Sequence, residues 1–241
     1  MQPAKMAIVA VGAVAALAAQ ESYLPAQFIG GAVPTQPLQA AGGGEVLVEL
    51  SITDTGAIDR IRPLRTTAAF TEPTIEALRG WRFAPATDVD ARTAQRRRVP
   101  STVLVAGVFR PPALTNGSTI GEPPQDVAAA SDGVAFPVDL QMPAFPPRAL
   151  NSGVVLVEVR IDPAGRVTDA NVIHSAPPFD EPSLDAARRW TFRSARIRGG
   201  RVATVAYVLF GFRQPITVKP EDYSDRKASS GATRVARRAG M

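Results

Sequence analysis

The sequence predicts an α+β protein: two tandem copies of a small ββαβ domain, each a three-stranded antiparallel sheet (order 2-1-3) packed on its helix. Three observations lead there. First, residues 34–86 lie without a gap on residues 143–195 at a shift of 109, and 18 of those 53 positions are identical. The match resumes at a shift of 103, Arg98-Val99 and Phe109-Arg110 against Arg201-Val202 and Phe212-Arg213, so the first copy carries six extra residues before its last strand. A repeat of this length sets the architecture before any local reading. Second, the apolar period inside each copy changes from two to roughly three and back, strand to helix to strand. Third, glycine and proline punctuate both copies at matching places.

Each copy opens on a proline-led turn, Pro37–Ala41 and Pro146–Leu150. Val46, Val48, Leu50 and Ile52 then alternate with Leu47, Glu49 and Ser51, as Val155, Val157, Val159 and Ile161 do with Leu156, Glu158 and Arg160. Asp54-Thr55-Gly56 and Asp162-Pro163-Ala164-Gly165 supply the hairpin turn, glycine taking the positive φ. Second strands follow over residues 58–66 and 167–175. Phe179-Asp180-Glu181-Pro182 starts a helix, with acids at the positive end of its dipole and proline in the first turn. Ile75, Leu78 and Trp81, like Leu184, Ala187 and Trp190, form its expected buried stripe. The last strands, 99–109 and 202–212, are almost wholly apolar.

Strand direction then dictates pairing. The helix crossover leaves strand three antiparallel to strand one, so strand three is expected beside strand one and at an open edge. One side of that strand, Val99, Val105, Phe109 and Val202, Val208, Phe212, faces its own core. The other side is apolar too: Thr102, Leu104 and Ala106 in the first copy, Val205, Tyr207 and Leu209 in the second. An edge strand apolar on both sides needs a cover. Packing between the two domains, a homodimer or a bound partner strand each supplies one. Those six residues are the candidate partner site.

Around the repeats, Lys5 precedes the apolar run Met6–Ala19, the pattern of a secretory signal peptide over residues 1–19. At 14 residues it is shorter than the roughly 20 needed to span a bilayer. The first domain is bounded at 33–110, a Pro/Ala/Gly/Ser-rich linker at 111–141, the second domain at 142–213, and a basic tail, expected to be disordered, at 214–241.

Composition excludes several classes. With no cysteine and one histidine, His174, disulfide frameworks and most zinc or nucleophile–histidine schemes are ruled out. The net charge of +5 is carried by scattered arginines without an aromatic-interleaved stripe, which argues against nucleic acid. His174 and Ser175 are neighbours on a strand and point to opposite faces, so they make no catalytic pair. Glu49 and Glu158 are read as arginine partners, Asp54 and Asp162 as turn residues, and Arg96-Arg97-Arg98 as a solvated loop, with contact to an acidic partner as the alternative. No cofactor and no enzymatic activity is expected.

The second copy carries P-x-x-P-x-x-A, the V-L-V-E-V-R-I-D-P-A-G-R-V hairpin and L-D-A-A-R-R-W-T-F; the first carries R-G-W-R-F-A-P-A at its helix end. These resemble the TonB C-terminal domain family. Phe145 stands where the family's opening motif has tyrosine, and Ala176-Pro177-Pro178 replaces its Ser-Gly. The resemblance implies a periplasmic α+β module linked to transmembrane transport. It also implies that the strand-three edge receives a segment of an outer-membrane TonB-dependent receptor or another envelope protein. A membrane-anchored energy transducer and a cell-wall-binding structural module remain open alternatives.

Overall fold

The computed structural model describes residues 23–37, 40, 42–90, 92–111 and 130–214. The expected signal peptide, and the tail beyond Gln214, lie outside the described residues. Along the chain run β1 (Tyr23–Leu24), β2 (Gln27–Gly30), β3 (Gly44–Ile52), β4 (Ile58–Arg65), α1 (Ala68–Arg79), β5 (Arg82–Ala84), β6 (Ala86–Val89), β7 (Arg96–Val99) and β8 (Ser101–Phe109). The second half follows with β9 (Phe136–Asp139), β10 (Gly153–Ile161), β11 (Val167–His174), α2 (Asp180–Ala187), β12 (Thr191–Arg193), β13 (Arg196–Ile197), β14 (Gly200–Arg201) and β15 (Thr204–Phe212).

One six-stranded sheet, in the order β11-β10-β15-β8-β3-β4, joins the halves. This corrects the expectation of two separate three-stranded sheets with open third strands. β8 and β15 pair with each other, in parallel, at the centre of the sheet. The physical reason lies in the two-sided apolarity of those strands: each covers the other's unpaired main chain and is buried on both faces.

Register decides which residues share a face. Ala206 pairs with Leu104, Tyr207 with Val105 and Gly211 with Phe109, so Tyr207 lies on the face of Val105 and Phe109. Phe109 stacks on Phe70 of α1 at 4.5 Å, whereas Phe212, on the opposite face, stacks on Phe179 at the start of α2 at 4.3 Å. The two helices therefore cover opposite faces of the sheet.

The helix stripe also differs from the expected one. Phe70, Thr74 and Leu78 are buried on α1, and Ser183, Ala186 and Ala187 on α2, while Leu184 is half-buried. The helices present an i, i+4, i+8 row led by the stacked phenylalanine. The buried hydroxyls of Thr74 and Ser183 are satisfied by donating to the Phe70 and Phe179 carbonyls, at 2.7 Å each.

Two stretches outside the expected domains carry structure. β1 and β2 lie in the lead-in before residue 33, and β9 lies within the stretch expected to be linker. β2 pairs with β5, and β9 with β12, at positions again 109 apart. The indole nitrogen of Trp81 donates to the Ala32 carbonyl at 2.8 Å, and that of Trp190 to Gln141 at 2.9 Å. These short strands are the lids over each tryptophan. Sequence periodicity missed them because Gln27–Gly30 and Phe136–Asp139 share no residue identities and are too short to show alternation. At the hairpin turns, Gly56 (φ 89°) and Gly165 (φ 87°) place their carbonyls to accept Phe83 N and Phe192 N, a conformation side chains rarely adopt.

Candidate functional site: the seam between the third strands

All six sequence-predicted partner residues sit at the β8–β15 seam or its start. Each side of the seam supplies its half's non-core residues to the other half's core. Val205, Tyr207 and Leu209 project onto the α1 face, and Leu104 and Ala106 onto the α2 face, all buried. Thr102, half-buried, lines a cleft of about 750 Å³ at the start of the strands.

Tyr207 is the centre of the exchange. Its ring lies 5.8 Å from Phe28, 6.0 Å from Trp81 and 5.8 Å from Phe83, all residues of the first half. Its hydroxyl accepts from Phe28 N at 2.7 Å and donates to Glu158 Oε2 at 3.1 Å. Burial, and then the Glu158 charge, push its pKa well above the ordinary tyrosine value. On the other face Glu49 plays a comparable part. It accepts from Arg62 Nη2 and from Ser131 N, each at 2.8 Å, tying the first half's sheet to the loop that leads into the second. Burial would raise the Glu49 pKa, but those hydrogen bonds and the Arg62 charge bring it below the usual carboxylate value.

One end of the seam is closed by a pair of arginines that sequence reasoning left unused. Arg110 donates to the Pro143 carbonyl of the second half; Arg213 donates to the Ala40 and Gly42 carbonyls of the first and lies 5.4 Å over the Phe70 ring. Burial lowers the pKa of both guanidiniums. Gln36 Nε2 adds bonds to the Gly153 and Phe212 carbonyls, at 2.6 and 2.9 Å. The signal was present in the repeated Phe-Arg at the end of each copy, but a repeat alone does not say that the side chain reaches the other copy.

Gly107 and Gly211 complete the seam. A Cβ on Gly107 would stand 2.8 Å from Phe109 Cε2, and one on Gly211 would overlap Cδ1 of the same ring. The two glycines make room for Phe109 to cross the central strands and reach Phe70.

Of the other residues weighed from sequence, His174 ends β11 opposite Leu156 and is exposed. Asp162 caps its own turn by accepting from Ala164 N and Arg166 N, at 2.8 and 2.9 Å. Among the described residues no helix is long and apolar enough to cross a membrane.

This paired-strand architecture frames what the chain is similar to. Residues 141–213, spanning β10 to β15, match the family model for the Gram-negative bacterial TonB protein C-terminal. The second half is similar to the TonB C-terminal domain. Protein TonB from two strains of Xanthomonas campestris pv. campestris is 33% identical over 70 residues, covering 27% of this chain. The chain spans 31% of the length of these curated relatives. The family match ends at Arg213, the residue that crosses into the first half.

Proposed function

We propose that this chain is a TonB-like envelope protein of outer-membrane transport, periplasmic in location, which binds protein segments and does not catalyse a reaction. The match of residues 141–213 to the TonB C-terminal domain carries this reading. The partner is an outer-membrane TonB-dependent receptor or another envelope protein, engaged by strand addition along β15 at Val205, Tyr207 and Leu209. In the closed form β8 occupies that edge. Binding there therefore requires the halves to part, with β8 acting as an internal competitor for the incoming strand.

A reversible staple tests this. The chain has no cysteine, so Leu104→Cys with Ala206→Cys, which are register partners on β8 and β15, gives a single possible disulfide. Adjacent strands place Cα atoms within the range a disulfide spans. The oxidised protein is expected to lose binding to a peptide copied from the periplasmic segment of a TonB-dependent receptor, and to regain it on reduction. Undiminished binding by the oxidised form would overturn strand addition at this edge.

A further inference from the structure

The six residues by which the first half exceeds the second extend a hairpin arm, β6–β7. Its second-half counterpart is the pair of two-residue strands β13 and β14. The arm is firmly rooted: Ala86 is fully buried, and Asp88, 4% exposed, binds Arg198 of the second half at 2.6 Å. β7 ends the small sheet β1-β6-β7, with no strand on its far side among the described residues.

Hydrogen bonding at the turn fixes which groups that edge offers. Asp90 N donates to Gln95 O at 2.9 Å and Ala94 N to Asp90 O at 2.8 Å, with Ala94 at φ 56°, a bulged turn. Counting on from the Asp90–Gln95 pair, Arg97 and Val99 turn their main-chain groups inward to β6, and Arg96 and Arg98 turn theirs outward. The side chains of Arg96 and Arg98 share one face of the strand; Arg97 stands on the other, 3.7 Å from Asp90. All three arginines are exposed.

We propose that β7 is a docking edge for an extended acidic protein segment, which adds as a strand and sets alternate carboxylates against Arg96 and Arg98. The inference goes beyond the envelope reading and does not depend on what the central strands bind. Four rival occupants or edges fit less well. A second copy of this edge would bring arginine against arginine, which is destabilising for directly opposed pairs. β4 is interrupted by Pro63, which has no N–H to offer an added strand. β11 carries Asp169 and no arginine, so it would repel an acidic strand. An anionic lipid surface would satisfy the arginines but leave the outward N–H and C=O groups unmatched.

Fluorescence anisotropy on the full chain tests the proposal. The probes are a labelled peptide of alternating Glu and Val about eight residues long, its Gln-Val counterpart, and phosphatidylglycerol vesicles. The Glu-Val peptide is expected to bind and to raise the hydrogen-exchange protection of the Arg96 and Arg98 amides. The double reversal Arg96→Glu/Arg98→Glu is expected to weaken binding by about tenfold or more. Arg189→Glu, an exposed arginine on the second half, is expected to leave it unchanged. Equal affinity for the Gln-Val peptide, equal loss with Arg189→Glu, protection confined to other strands, or binding to vesicles without binding to the peptide would each overturn the proposal.

Discussion

Tyr207 shows how much one side chain settles here. Its ring fills the first half's core from the second half's strand, and its hydroxyl bridges Phe28 N and Glu158. Tyr207→Phe keeps the ring but leaves a half-buried amide and carboxylate short of a partner, at a cost of about 1 kcal/mol. Denaturant titration of the wild type and variant checks this, with equal midpoints counting against it. Two tyrosines also set an alkaline limit. Burial and then Asp88 push Tyr23 up to about 12, and Tyr207 is raised as well. A raised tyrosine keeps its proton in the folded state after the unfolded chain has lost it. The stability it contributes is complete below the ordinary tyrosine pKa of about 10 and is lost as pH rises above that. The midpoint of urea denaturation is expected to fall between pH 10 and 12, and less steeply in Tyr23→Phe. A Tyr23→Phe profile parallel to wild type would remove Tyr23 from that account.

At the scale of elements, the central strands depend on absence as much as presence. β8 and β15 approach across two glycines over which Phe109 lies. Gly211→Ala forces the ring aside in a packed core, where overpacking costs about 1–3 kcal/mol. Gly30→Ala, with nothing within 4 Å of the added methyl, is the matched control. Thermal melts should separate the two; indistinguishable melting temperatures would mean the seam yields freely. The alternation of each strand, the glycine-bearing hairpin turns and the acid-led second helix were legible from sequence, because each rests on neighbours a few residues apart; Thr53, rather than Asp54, caps the first turn. The lids β2 and β9 were not: they hold their places through the partners β5 and β12 and the carbonyls beneath each indole.

The whole molecule does not divide where its sequence repeats. Tyr207 enters the first half's aromatic core, Leu104 and Ala106 lie on the second half's core face, and the arginines ending β8 and β15 bind carbonyls across the seam. Independent unfolding of the two repeats, natural for tandem domains, is therefore not expected. Trp81 reports on the first core and Trp190 on the second, so the single-tryptophan variants Trp190→Phe and Trp81→Phe give each half its own probe. Their fluorescence transitions should coincide with each other within each variant's own circular-dichroism transition, the signature of one cooperative unit. Loss of one core's signal while half the circular-dichroism change remains would show two units.

Sequence by itself determined the repeat, the strand and helix order inside it, the hairpin turns, the resemblance of the second copy to the TonB C-terminal domain, and the need of an apolar third strand for a cover. All of these follow from local periodicity, turn chemistry and residue identity. Tertiary structure alone decided what the cover is. Open main-chain edges of like length and two-sided apolarity satisfy one another when the halves pair in parallel, and that pairing sends the helices to opposite faces. A linear pattern specifies that a face must be buried, but which surface buries it depends on distances between residues about a hundred positions apart, and only the folded chain brings those together.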